Sequence, residues 1–479
     1  MRLEVSGLAY KDLREFLQKL EEEGQLVRVK DEVMPEPHIG AAGRAAGNLK
    51  NGPAVLFEKV AGYRNQVVTN VHGSWANHAL MMGMPKDTPV KEQFHELNRR
   101  WDLYPVPAKH VSTGPCKEVK ITKNINLFEI LPLYRINTWD GGFFISKACV
   151  VSRDPEFPDD YNKQNVGTYR IQVKGKDRIG IQALAFHDIA IHLRKAEEMN
   201  KPLRVAIALG VDPIITFMAS TPIMYDQSEY DFAGALRGGE PVELVKAETA
   251  NLDVPAGAEV VLEGEIIPRL RTCEGPFGEF PGSYSGVRAQ CEIKIDTITH
   301  RQNPIFENLY LGMPWSEIDY LMALNTSVPL YKQLKETFPE VQAVNAMYTH
   351  GIGVIISTKV RFGGFGKAVA MRLLSTPHGM PYTKVIIVVD EYVDPFNLEQ
   401  VMWAITTRCK PDKDVTLIEN CPGMPLDPSS YPPGMHTKMI IDATTPVDPE
   451  PQLRTVELVE DPPKTAEWEK LLRELWTAK

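Results

Sequence analysis

The sequence predicts an α+β protein of three domains followed by a terminal helix, and three observations lead there. First, 479 residues are too many for one core, since domains usually run to about 100–200 residues. Second, the middle of the chain, 117–300, is rich in short β-type segments, whereas strand and helix patterns mix on either side of it. Third, the chain closes on an amphipathic helical pattern beyond a proline-rich linker. The expected boundaries are 1–112 for an N-terminal α/β domain, 113–312 for a barrel-like domain, 313–445 for a C-terminal α/β domain, and 446–479 for the linker and helix.

The first periodic segment is YKDLREFLQKLEEEGQL. Leu13, Phe16, Leu17 and Leu20 share one helical face, and Gly24 ends the helix. An α/β pattern continues to the LYPVPAK stretch near residue 105, where a boundary is expected. EVKITK, KACVVSR, VGTYRIQV, LRVAIALG, AEVVLEGEII and QCEIKIDTI then read as strands of a mostly antiparallel barrel, with helical inserts at 188–200 and 227–237. Beyond residue 315, GVIIST and KVIIVVD alternate with the helical FGKAVAMRLLS and LEQVMWAITTR, the pattern of a sheet covered by helices. The linker contains Pro446, Pro449, Pro451, Pro462 and Pro463. The last helix, AEWEKLLRELWTA, carries Trp468, Leu471, Leu472, Leu475 and Trp476 at helical spacing.

Composition narrows the function. Apolar residues are 43% and charged residues 24%, the balance of a globular protein. The net charge is −9 and the basic residues are dispersed, so no nucleic-acid partner is expected. The six cysteines stand singly, without a C-x-x-C pair, which argues against a zinc ribbon and a disulfide framework. No apolar run reaches the roughly 18 residues of a membrane span, and the N-terminus lacks a signal-peptide core. A cytoplasmic protein is expected. Several catalytic motifs fail. RFGGFGKA has Arg361 and Ala368 where a phosphate loop needs Gly and Ser/Thr, His187 and His192 are not in an H-E-x-x-H, and GSYSG puts Tyr284 at the nucleophile position.

Three segments place costly polar groups among apolar and turn residues. KQNVGTYRIQV holds Asn165 and Arg170, and the plain alternative is a strand with an exposed arginine. LAFHDIAIHLRKAEE puts His187 just before a helix, where a capping or packed histidine is the plain alternative. CEGPFGEF holds Glu274 and Glu279, with Gly275, Pro276 and Gly278 between them forbidding a regular helix. Such a segment is either a surface turn with two solvated acids or a bend that points both carboxylates into one cavity. In the second case each carboxylate raises the other's proton affinity while an arginine between them lowers it. That balance suits a proton donor.

N-V-G-T-Y-R, the isolated His187, the helix Q-S-E-Y-D-F-A-G-A-L-R-G with Glu229, and E-G-P-F-G-E, in this order, resemble the UbiD family of reversible decarboxylases. INLFEILPLYRIN, GKDRIGIQ, DQSEYDFAGA, PIFENLYLGMPW, VNAMYTHG and VVDEYVDPFN extend the resemblance to the large subunit of non-oxidative hydroxyarylic acid decarboxylases. The resemblance implies a central split β-barrel that binds prenylated FMN, a cofactor supplied by a UbiX-type flavin prenyltransferase, and a C-terminal domain that serves oligomerisation. It implies Mn²⁺ or Mg²⁺ on Asn165, His187 and Glu229, and K⁺ near Ala219, Ser220 and Glu229. Thr168, Tyr169, Arg170, Gln182, Ala183, Leu184, Phe186, His187 and Lys384 become candidate cofactor contacts. Glu279 becomes the candidate proton donor, with Arg170 orienting the carboxylate and Glu274 holding Arg170. His350 and His436 are candidates to bond a ring hydroxyl of a substrate such as 4-hydroxybenzoate, vanillate, protocatechuate or gallate. A small accessory subunit and a homo-oligomer, dimer or hexamer, complete the expectation. Two other readings stand beside it: a decarboxylase of polyprenylated hydroxybenzoate or acrylic acids, and a non-catalytic flavin-binding partner subunit.

Overall fold

The computed structural model describes residues 9–447 and 456–477; residues 1–8 and part of the linker, including Pro449 and Pro451, lie outside the described residues. The first helix, Leu13–Glu22, is capped by Asp12, whose carboxylate accepts from the Glu15 N–H. It buries the four residues of its predicted face, and Gly24 turns the chain at φ +72°. Strands Leu26–Val29, Ala54–Phe57 and Gln66–Thr69 form a small sheet beside it. Its fourth strand, Ile305–Glu307, comes from the far end of the expected middle domain. That return strand pairs in parallel with Gln66–Thr69 and satisfies an edge that would otherwise stand unpaired. The N-terminal sheet is thus completed by residues from inside 113–312.

The middle of the chain is a nine-stranded sheet in which every neighbouring pair is antiparallel. The spatial order runs Phe144–Ile145, Ile171–Val173, Arg178–Ile181, Arg288–His300, Val260–Glu274, Leu203–Leu209, Cys149–Arg153 and Gln164–Thr168, with Val119–Ile121 added to Arg288–His300. VGTYRIQV, expected as one strand, is two. Gln164–Thr168 forms one edge of the sheet, and Ile171–Val173 lies next to the other edge. Only Tyr169 and Arg170 join them, a connection that spans roughly 11 Å at most. The sheet must therefore curl until its ends face each other. The result is a split barrel whose seam is crossed by Tyr169 and Arg170.

The C-terminal sheet has the order Val341–Tyr348, Gly353–Thr358, Val385–Asp390, Met435–Ala443, Val415–Pro422, parallel at its centre and antiparallel at both edges. Helices Phe365–Leu374 and Leu398–Arg408 make the crossovers that parallel strands require. One apolar core runs through all three regions, and a smaller cluster around Val393 and Val401 lies under Leu398–Arg408. The last helix, Thr465–Thr477, stands with all five of its large apolar side chains exposed. Among the described residues, no helix is long and apolar enough to cross a membrane.

Candidate active site

Asn165 sits on the edge strand Gln164–Thr168, His187 at the cap of helix Asp188–Glu198, and Glu229 at the first position of helix Glu229–Leu236. These three residues, far apart in sequence, line one cavity of about 370 Å³ at the barrel seam. Thr168, Tyr169, Phe186, Ala219, Ser220 and His350 line it too. Gly167 makes this wall feasible, because a Cβ there would meet the Tyr169 ring at 2.4 Å. The donor set suits a hard divalent ion. Asn165 uses its amide nitrogen on the Tyr169 hydroxyl, 3.4 Å away, which leaves the amide oxygen free. Burial lowers His187 to about 4, so the ring is neutral. The Leu184 N–H donates to its Nδ1 at 3.3 Å, and an ion taking the ring's one lone pair would replace that donor. Glu229 Oε2 is buried without a hydrogen-bond partner. An amide oxygen, an imidazole and a carboxylate are ligands of Mn²⁺ or Mg²⁺. No Lys or Arg is among the described lining residues, whose charged members are Asp188 and Glu229.

The second constellation lies at the same seam. Arg170 grips Glu274 with two hydrogen bonds, Nε–Oε1 at 2.9 Å and Nη2–Oε2 at 2.6 Å, and its Nη1 donates to Glu279. Gly275, at φ +96°, turns the chain between the two acids and makes this convergence feasible. Glu274 is 0% and Glu279 5% exposed, which removes the solvated-turn alternative. Burial raises the Glu279 carboxyl, Arg170 opposes that rise, and the Glu274 charge adds to it. The three residues stand behind the cavity wall. Tyr169 adjoins Arg170, and Phe280, next to Glu279, meets the His350 ring at a centroid distance of 5.6 Å.

Other expected residues fall elsewhere. Gln182, Ala183 and Leu184 do not line the cavity, although Leu184 orients His187. Lys384 and His436 share a separate cavity of about 360 Å³ at the edge of the C-terminal sheet. The Lys384 ammonium turns to Asp427 at 2.6 Å and Ser429 at 2.8 Å, because an ammonium in a half-buried position needs a counter-charge. In this structure Lys384 and His436 therefore line a cavity other than the one that holds Asn165, His187 and Glu229. His72, Glu307 and Glu317 also converge as metal ligands would. The Lys147 ammonium already fills their centre, at 2.8, 2.6 and 2.5 Å, so the cluster is a buried ion network. Sequence reasoning missed Asp188, Tyr225, His378 and Tyr382 in the cavity wall. Asp188, raised by burial to about 6, was legible only as the neighbour of His187. His378 and Tyr382 come from a turn region with no period to mark them.

A curled antiparallel barrel, with an amide, an imidazole and a carboxylate in its seam and a buried carboxyl–guanidinium–carboxyl set beside them, is the architecture of an enzyme active site. Family models give the particular group. Residues 17–97, 109–314 and 319–443 match the N-terminal, Rift-related and C-terminal domains of 3-octaprenyl-4-hydroxybenzoate carboxy-lyase. The chain belongs to this UbiD family of carboxy-lyases. It is 72% identical over 470 residues, 97% of this chain and 98% of the relative, to a phenolic acid decarboxylase of Sedimentibacter hydroxybenzoicus. The vanillic acid decarboxylase of that organism, solved in a closed form, superposes with a TM-score of 0.94 at 72% identity, over 98% of this chain and 100% of the other. The UbiD-class enzyme HmfF from Pelotomaculum thermopropionicum, solved with FMN, superposes with a TM-score of 0.82 at 32% identity, over 95% and 98%.

Proposed function

We propose that this chain is the large, catalytic subunit of a non-oxidative decarboxylase that acts with prenylated FMN on a phenolic acid such as vanillate or 4-hydroxybenzoate. The observation that carries the reading is Glu279, a carboxyl buried on a fixed guanidinium at the seam that holds Asn165, His187 and Glu229. Near-full-length similarity to a phenolic acid decarboxylase supports the substrate class. When bound, the flavin supplies the electron sink without which loss of CO₂ leaves an aryl carbanion. Asn165, His187 and Glu229 would hold Mn²⁺ or Mg²⁺, whose charge would offset that of the flavin's phosphate, and Ala219 and Ser220 would hold K⁺. Thr168, Tyr169 and Phe186 would flank the flavin. Arg170, pinned by Glu274, orients the substrate carboxylate. Glu279 gives its proton to the ring carbon that has lost CO₂, and as carboxylate it takes that proton back in the reverse reaction. A UbiX-type prenyltransferase would supply the cofactor, and a small accessory subunit and a homo-oligomer belong to the same proposal.

The test is coexpression with a flavin prenyltransferase, followed by an absorption spectrum and CO₂ release from a panel of acids. Release from hydroxybenzoates is expected. Flavin-loaded protein that acts only on polyprenylated or acrylic acids, or on none, overturns the reading.

A further inference from the structure

Two ring nitrogens in the cavity wall have no role in this scheme. The His350 ring bonds the backbone of Met322 and leaves Nδ1 buried without a partner. The His378 ring bonds the backbone of His350 and leaves Nε2 buried without a partner. Burial keeps both imidazoles neutral. A neutral ring that donates through one nitrogen offers the other as an acceptor. Two residues of the cavity wall therefore each carry a buried acceptor that lacks a donor.

The surroundings hold these rings in place. Tyr382 stacks on His378 at 4.3 Å with 6° between the planes, and meets His350 edge-on at 4.9 Å. Thr349 and His350 both adopt positive φ, 48° and 58°, a conformation that costs any residue with a Cβ. Buried acceptors without donors are costly as well. Strain and unmet hydrogen bonding at one point of a cavity are features a ligand can repay.

We propose that His350 and His378 together read the ring hydroxyl of the substrate, each accepting from a phenolic O–H. The identity of the ligand rests on the decarboxylase reading above. Phe280, the residue after Glu279, meets the His350 ring, and the Glu279 charge acts on the Tyr382 hydroxyl, so the acceptors and the acid belong to adjoining walls. The substrate's carboxylate would then face Arg170, and the hydroxyl para to it would face the two histidines. An acceptor on that hydroxyl pushes electron density to the para carbon, the one that exchanges CO₂ for a proton. The ring centroids of His350 and His378 are 5.7 Å apart, which also suits two neighbouring hydroxyls.

The test uses the product phenol and fluorobenzene, which matches it in size but has no proton to donate. Dissociation constants are measured by calorimetric titration on flavin-loaded protein in bicarbonate-free buffer. Wild type should bind phenol about tenfold more tightly or better, the scale of the net gain from one hydrogen bond. His378→Leu and His350→Leu should bring the ratio close to one, while His378→Gln, which keeps an acceptor, retains a preference. A ratio unchanged in both leucine variants, or near one in wild type, overturns the proposal. Should the leucine variants lose flavin, imidazole ¹⁵N resonances of wild type decide. Two histidines should shift with phenol and not with fluorobenzene, and unshifted resonances overturn it. Failure of the parent reading looks different: protein that keeps the phenol preference but releases no CO₂ loses the decarboxylase assignment and keeps the hydroxyl reader.

Discussion

Glu279 is held between opposing influences, burial and the Glu274 charge raising its carboxyl while Arg170 lowers it. Glu279→Gln keeps the size and polarity of the side chain but has no proton to give. Positioned acids contribute about 10²–10⁴-fold, so turnover should fall by that much while flavin and metal content stay at wild-type levels. The pH profile carries a second prediction. The donor works only when protonated, so activity falls as pH rises through the raised Glu279 value. Glu274→Gln removes a charge that raises it and leaves Arg170 free to favour the Glu279 carboxylate. The alkaline limb of kcat should therefore move to lower pH, and a limb that stays in place or moves upward separates Glu279 from that titration.

At the scale of the element, the seam strand is the part most open to test. Gly167 lets Tyr169 fold back over its own strand, with no room for a methyl group. Gly167→Ala should displace the Tyr169 ring and its contact with Asn165. Flavin retention after purification should drop severalfold while the far-ultraviolet circular dichroism is unchanged. The same segment shows where sequence reading stops. In VGTYRIQV, Tyr169, Ile171 and Val173 alternate as a strand would while Val166 falls out of that phase, a signal too short to tell a break from a strand with two covered faces. That break appears because the sheet's two edges meet there. The first helix is the opposite case, since Leu13, Phe16, Leu17 and Leu20 fit one face and the burial follows.

At the scale of the whole molecule, one buried network ties the regions together. Lys147 and Glu307 come from the middle of the chain, His72 from the N-terminal sheet region, and Glu317 from the helix that opens the C-terminal region. Coulomb attraction to Lys147 and a hydrogen bond from the His72 backbone N–H hold Glu317 down at about 2 despite its burial. Lys147→Met would leave two buried carboxylates without their cation, at a cost of about 3–5 kcal/mol in denaturant unfolding. The last helix makes a different demand. Trp468 and Trp476 are 59% and 83% exposed, and burying each large apolar side chain of that stripe is worth roughly 1.5–3 kcal/mol. A homo-oligomer in which 466–477 dock on a neighbouring subunit is expected. Truncation after residue 460 should lower the mass seen by light scattering, and an unchanged mass removes the idea.

The sequence by itself determined the α+β class, the helices whose apolar positions repeat every three to four residues, and the residue types of both constellations. Those depend on local periodicity and on polar groups too costly to place without a reason. Only the tertiary structure decided which of them meet. It brought Asn165, His187 and Glu229 to one cavity, turned Lys384 to Asp427, filled the His72–Glu307–Glu317 cluster with Lys147, and added His378 and Tyr382 to the wall. The physical reason is that a buried charge is settled by its nearest partner in space, and curling the sheet until its ends met chose those partners.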